Sequence, residues 1–361
     1  MILVIIFVLL FFCALVEVST QKRYKTLFIL LYLFVTLITV FRYGVGADYP
    51  GYYIAFNEVP ALDDGFIFGR VDAHGEPVYH LLVAIFKYFG YTFRELAMLI
   101  SIVTMYLFYL YFKKFCNYSL ISLFIFFAIY YVVYPFNVIR QGLTIAFFVG
   151  VLLPLLLDKR YKLFYLLTIL GALFHYSLLI VLICPILCKL KFSKKILILF
   201  IVIFFFLPIE RLFSPLINSV PYLSVYSDTS SNLLPLLNRL LLFIPIMWMY
   251  DKNQDDSYTN KIIFLSVISF ILFINFSSYS LISSRLNVYF KSVELSLLPV
   301  FFANFKIKSN RIIYFLLLSV ILSILFIKSL NTDLYYLKMY QNIPESFGIF
   351  DYPIINNFFN Y

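Results

Sequence analysis

The 361-residue chain is poor in charge. Asp, Glu, Lys and Arg together make up 13% of it, about half the roughly 25% of a soluble globular domain. It has only four cysteines, three histidines and a single tryptophan. The shortage of charge stands beside 63% hydrophobic residues and a mean hydropathy of +0.95. Together these exclude a soluble enzyme, a disordered tail and a nucleic-acid-binding domain, so no nucleic-acid partner is expected. Cys13, Cys116, Cys184 and Cys188 sit in or beside apolar runs without zinc spacing and read as small buried hydrophobes. The chain has no GxSxG, no Rossmann glycine pattern and no GxxxxGK[ST], so classes built on those signatures lose support. Neither a metal nor a cofactor is called for.

What the chain has instead is a succession of apolar runs, at 1–17, 26–41, 95–112, 118–134, 142–157, 195–209, 236–250, 261–276, 286–303 and 311–328. Met1 to Val16 carries no charge and no basic residue precedes it, so it reads as a first membrane helix rather than a secretory signal. A spanning helix needs roughly 20 residues. The expected fold is all-α: one polytopic membrane domain over 1–361, with about 12 transmembrane helices. A shorter run near 77–90, interrupted by His80, Lys87 and Tyr88, is expected to lie at the interface or re-enter.

Lys and Arg in short loops set orientation. Clusters at 22–25, 113–114, 159–162, 189–195, 252–261 and 306–311 are expected to face the cytoplasm. Segments 42–76, 135–141, 210–235 and 277–285, the surroundings of His175 and the tail from 329 then face out, with 42–76 and 210–235 as the main outer loops. Lysines flank 161–188 on both sides, so this segment is expected to go out and return. Each arm would be about 13 residues, or roughly 20 Å, short of the roughly 30 Å hydrocarbon core. His175 at the apex would then sit below the outer surface. The alternative is one long span with a buried histidine.

Sorting charge by side exposes a second pattern. The inner clusters are mostly lysine, as topology requires, whereas six arginines, Arg42, Arg70, Arg140, Arg211, Arg239 and Arg285, fall on the outer side. Arginine presents a planar fork that fits phosphate bidentately, so outer arginines at a membrane surface suggest a lipid-linked phosphate or pyrophosphate. Arg42, Arg140 and Arg285, each at the end of an apolar run, and Arg239 are the candidate ligands. The plainer reading is that several pair with carboxylates or headgroups. The first outer loop, Arg42-Tyr-Gly-Val-Gly-Ala-Asp48-Tyr49-Pro-Gly-Tyr52-Tyr53, ends in His74-Gly75-Glu76-Pro77. Asp48, Glu76 and His175 are the candidate general bases. Glu76, just before Pro77, has a purely structural alternative in stabilising the start of a helix. His175 has another, as a satisfied core histidine. Tyr49, Tyr52, Tyr53 and Tyr289 are the candidate sugar contacts. Asp63, Asp64 and Asp72 read as solvated loop charges.

The R-x-G-x-G-x-D-Y pattern at 42–49 with its following tyrosines, Glu76-Pro77, Arg140-Gln141-Gly142 entering a helix, the H-x-S element at His175 and Ser177, and Arg285 near Tyr289 resemble the EpsG-like group of Wzy-type polysaccharide polymerases. The resemblance implies a multi-pass protein of the bacterial cytoplasmic membrane. It would polymerise undecaprenyl-pyrophosphate-linked oligosaccharide units on the outer face, in O-antigen, capsule or exopolysaccharide synthesis. The implied partners are lipid-linked donor and acceptor, membrane lipid and a chain-length regulator protein. A paired arginine-rich second outer loop is not evident; Arg211 and Arg239 flank 210–235 without a repeat. A flippase of lipid-linked oligosaccharide and an O-antigen ligase are the alternatives. A flippase should carry polar groups through the bilayer, and within a late span the sequence places only Lys291 and Glu294.

Overall fold

The computed structural model describes residues 2–42, 44, 46, 48–190, 193–207, 233–250, 258–276 and 279–340. Arg211, Lys252 and most of the expected outer loop 210–235 lie outside these. Among the described residues the secondary structure is helical throughout, as the all-α expectation requires. The helices are α1 (Ile2–Thr20), α2 (Lys25–Val40), α3 (Tyr49–Glu58), α4 (Pro77–Tyr88), α5 (Phe93–Phe115), α6 (Ser119–Tyr131), α7 (Ile139–Leu157), α8 (Tyr161–Ala172), α9 (Tyr176–Leu187), α10 (Lys194–Phe206), α11 (Leu233–Trp248), α12 (Tyr258–Asn275), α13 (Ser280–Ser292), α14 (Glu294–Ala303) and α15 (Lys308–Tyr340).

Five of these stretches are long and apolar enough to cross a membrane: Ile2–Thr20, Phe93–Phe115, Ile139–Leu157, Tyr258–Asn275 and Lys308–Asn331. Counting the bent pair α13–α14 as one span makes six. Other apolar runs fold as helices of 10–17 residues, Lys25–Val40 and Ser119–Tyr131 among them. A span count of about 12 therefore does not follow from the helix lengths. The helices are interrupted at identifiable places. The run expected over 286–303 breaks at Val293, where its two halves meet at 47°. Inside α14, Pro299 has no N–H to return to the Leu295 carbonyl; the Ser122 hydroxyl donates to that carbonyl instead, at 2.9 Å. In α7, Pro154 likewise leaves the Gly150 carbonyl without its usual donor, and the helix widens into a π turn over Phe148–Leu152 just before it.

α5 is the central post. It starts in a capping box, with Thr92 and Glu95 bonding reciprocally across the first turn, and it packs between α2 and α7. α1 lies against α6 and α15; α12 joins α10, α11 and α13. The outward-turned surfaces of α1, α2, α10 and α15 are apolar, with Phe12, Leu30, Phe206 and Leu317 exposed, as lipid-facing surfaces should be. The 161–188 segment is a hairpin. α8 and α9 are 12-residue arms packed on each other, and His175 forms the break in extended conformation (φ −158°). The alternative of one long span is excluded. α4, at 12 residues, covers most of the 77–90 run and is not among the spans.

Candidate functional site

Three remote segments meet where α4 begins. The backbone N–H of Val78 donates to the Leu173 carbonyl at 3.0 Å, clasping the first turn of α4 to the tip of the α8–α9 hairpin. This brings Glu76 beside His175. Glu76 occupies the N-cap position of α4, in extended conformation, but its carboxylate does not cap the helix. It accepts from Arg140 Nη1 at 2.6 Å through Oε2, and it lies 2.7 Å from His175 Nδ1 and 3.4 Å from the Tyr176 N–H through Oε1. The Glu76 carboxylate thus does more than stabilise the start of a helix, the purely structural role open to it in the sequence.

Arg140 enters from the first turn of α7. The preceding chain turns back so closely that a side chain on Gly142 would come within 2.7 Å of the Tyr134 carbonyl. Only glycine lets α7 start here and aim Arg140 at Glu76. The guanidinium is buried and lies over two tyrosine rings, 5.2 Å from the centre of Tyr52 and 5.1 Å from that of Tyr79, a stacking that arginine favours.

The outer loop adds Asp48. Gly46, at φ +123°, sits against Asn137, leaving no room for a side chain. The chain then turns into α3 with Asp48 at its N-cap position, its carboxylate again not spent on capping. Asp48 opens to solvent, with Arg285 and Arg140 as its electrostatic neighbours. The protein crowding around it raises its carboxyl above the ordinary value, against the pull of those two arginines. Glu76 behaves oppositely. Burial alone would raise it, but the His175 hydrogen bond and the Arg140 charge prevail and hold it below its ordinary value. It is therefore an ionised acceptor at neutral pH, and His175 Nδ1 must supply the proton between them. His175 Nε2, buried and without a hydrogen-bond partner among the described residues, is left as the free position of the ring.

α13 closes the site. Gln141 Nε2 donates to the Arg285 carbonyl at 3.1 Å. The Tyr289 hydroxyl lies 2.7 Å from Ser177 Oγ and 3.0 Å from Thr144 Oγ1, tying α13 to the hairpin and to α7. Arg285 is half-buried and in electrostatic reach of Asp48 and His74.

Of the candidates read from the sequence, Asp48, Glu76, Arg140, His175 and Arg285 come together. Arg42 does something else with its fork: its Nη1 donates to the Thr39 carbonyl at 2.7 Å and to Ser101 Oγ at 3.0 Å, and its guanidinium lies over Phe136. Arg239 belongs to a different cluster, where Glu294 takes both arms of its fork at 2.6 Å. Among the tyrosines, Tyr289 is fully buried with its hydroxyl engaged, Tyr49 packs edge-on against Phe93, and Tyr52 lies under Arg140. Tyr53 alone of the four is half-buried. Two participants carried no role in the sequence. Tyr79 lies three residues after Glu76, a spacing that shares a helix face and that would have flagged it. His74 is exposed at its surface, with Arg140, Glu76, Arg285 and His175 as electrostatic neighbours; the protein crowded around part of its ring and the Arg140 charge push its imidazole below its ordinary value.

No group of three or more His, Cys, Asp or Glu suited to a metal occurs among the described residues. Comparison with curated proteins and with solved structures finds no match. The EpsG family model matches residues 25–344, a stretch that takes in every residue of the cluster around Glu76. The chain belongs to the EpsG family, a family of Wzy-type polysaccharide polymerase-like proteins.

Proposed function

We propose that the chain polymerises lipid-linked oligosaccharide units, joining one pyrophosphate-activated glycan to a hydroxyl of a second at the outer face of the bacterial cytoplasmic membrane. The observation that carries this reading is the bridge Arg140–Glu76–His175. It is a base oriented by a carboxylate beside a cation suited to a leaving phosphate, the arrangement that glycosyl transfer from a pyrophosphate needs.

In this mechanism the donor's anomeric carbon is bound to a polyprenyl pyrophosphate. The acceptor hydroxyl oxygen bonds to that carbon as the carbon–oxygen bond to pyrophosphate breaks. The hydroxyl proton passes to His175 Nε2, and Glu76, hydrogen-bonded at Nδ1, stabilises the imidazolium that forms. Negative charge growing on the departing pyrophosphate is met by Arg285 and by the Arg140 N–H groups that Glu76 does not use. Asp48 holds Arg285 and Arg140 toward the opening, and Tyr53 offers its ring to a sugar face. Arg42, bonded to Thr39 and Ser101, supports the loop that carries Asp48.

The phenotype of a deletion strain tests this reading. Surface glycan capped with a single repeat unit is the expected result. Absence of surface glycan would point to a flippase, and long unattached chains to a ligase.

A further inference from the structure

A second charged cluster lies deeper in the bundle, away from the site around Glu76. Arg239 of α11 gives its Nη1 and Nη2 to the two carboxylate oxygens of Glu294 at 2.6 Å each. Nη2 also donates to Ser269 at 2.8 Å, and Ser266 donates to Glu294 at 2.7 Å. All four residues are buried. Glu294 is thus taken up by Arg239 and Ser266. One helical turn away, at the end of α13, stands Lys291, half-buried, its amine 5.8 Å from the centre of the Tyr130 ring. No hydrogen bond or ion pair holds this amine among the described residues. Two cations face one anion here, so one positive charge is left without an anionic partner in the interior of a membrane-type bundle. Such a charge is costly and marks a functional position by default.

The helix also bends beside Lys291. The 47° break between α13 and α14 falls at Val293, whose carbonyl accepts from the Ser296 N–H at 3.2 Å, from the Tyr111 hydroxyl at 3.0 Å and from Ser296 Oγ at 2.9 Å. Broken spans of this kind place polar groups at membrane depth where a ligand can meet them. The position is also continuous with the candidate site. Lys291 and Tyr289, two residues apart on α13, point to opposite sides of that helix, so the link runs through other tyrosines; Tyr289 itself is bonded to Ser177 beside His175. The Tyr130 ring under the amine neighbours Tyr134 at 6.0 Å, and Tyr134 is in turn in electrostatic reach of Tyr289 and Arg285.

We propose that Lys291 is a second anion seat, which binds the phosphate of a membrane lipid. The inference rests on the polymerase reading, in which two lipid-linked molecules each bring a phosphate group. Arg140 and Arg285 serve the leaving pyrophosphate of one, and Lys291 holds the phosphate of the other. Arg239 is committed to Glu294 and Ser269 through both arms of its fork, which leaves only its buried Nε unbonded among the described residues.

Native mass spectrometry of the purified full chain with undecaprenyl monophosphate tests this. The wild type is expected to bind two per chain, Lys291→Arg two, and Lys291→Met one. The second affinity should fall roughly 10- to 100-fold, the worth of one charge-assisted hydrogen bond. A parallel titration with phosphatidylglycerol separates the sources. Loss of undecaprenyl phosphate alone assigns the seat to the isoprenoid carrier; loss of both assigns it to lipid phosphate in general. Equal binding by wild type and Lys291→Met, or a single site in the wild type, overturns the proposal. A measurement on the wild type alone guards against a variant that does not fold. Acylation of the Lys291 amine, read by peptide mass spectrometry, should slow when undecaprenyl phosphate is added, and an unchanged rate overturns the proposal. None of these readouts requires polymerisation, so a deletion strain without the single-unit phenotype would sink the polymerase reading while leaving this binding result to stand or fall by itself.

Discussion

At the residue scale, the chemistry is concentrated on one carboxylate. Glu76 ties a cation to an imidazole, so Arg140 and His175 depend on it for their orientation. His175→Ala removes the proposed base, and general base catalysis contributes about 10²- to 10⁴-fold. The expected outcome in complemented cells is single-unit glycan with normal protein levels. Arg140→Lys keeps the charge but loses the planar fork that serves Glu76 and the Tyr52 and Tyr79 rings together. It should show shortened chains or none, and full-length chains from a well-expressed variant would exclude the role. Glu76→Gln leaves a buried cation unpaired, a change worth about 3–5 kcal/mol in buried pairs. The pH dependence has a definite sign. The Glu76 carboxyl is held below its ordinary 4.5, so its stabilisation is present above that value and is lost as pH falls through the depressed one. In thermal unfolding, the gap between wild type and Glu76→Gln should be widest near neutrality and close as pH drops below 4.5. The residue types at this site were legible in the sequence, because ionisable groups are rare in so apolar a chain. Their partners were not: Glu76 and His175 are 99 positions apart, and no periodicity carries information over that distance. Arg239 reads as an outer-surface arginine in the sequence for the same reason, since Glu294 is 55 positions away.

At the scale of elements, hydropathy located the helices well and their interruptions poorly. The hairpin of α8 and α9 was legible because lysines bracket it and a histidine marks its apex. The break at Val293 was not, because the apolar run continues through it, and Lys291, Glu294 and Pro299 are each compatible with a helix that merely bends. The structure shows what makes such breaks tolerable: freed carbonyls find side-chain donors. Ser122 serves Leu295 in this way, beside a weaker approach from Cys116 Sγ at 3.8 Å, so Ser122→Ala should lower stability by about 0.5–1.5 kcal/mol, the usual worth of one hydrogen bond. The test is a double-mutant cycle read by thermal unfolding. Pro299→Ala restores an N–H able to reach the Leu295 carbonyl, and in that background the Ser122→Ala loss should shrink. An equal loss in both backgrounds would show that Ser122 acts elsewhere.

At the scale of the whole molecule, the proposed one-sided site follows from the charge pattern of the loops, with Asp64 outside and Asp158 inside. Asp158 lies among residues of the inner clusters, accepting from Lys114 and Tyr258. In a background lacking all four cysteines, Asp64→Cys in intact cells should react with a membrane-impermeant thiol reagent. Asp158→Cys should react only after lysis; labelling of Asp158→Cys before lysis would invert the orientation. The Glu76 bridge has a further consequence, for the order in which the protein is made. Arg140 follows Glu76 by 64 positions and His175 by 99. At about 5–20 residues per second of synthesis, the carboxylate waits roughly 3–13 s for its cation. During that interval α4 cannot settle into its final place, because Glu76 would have to be buried alone. Insertion of the N-terminal third should therefore stay provisional until α7 arrives, and a nascent chain halted before Arg140 should remain open to proteases acting on the loop that carries Glu76.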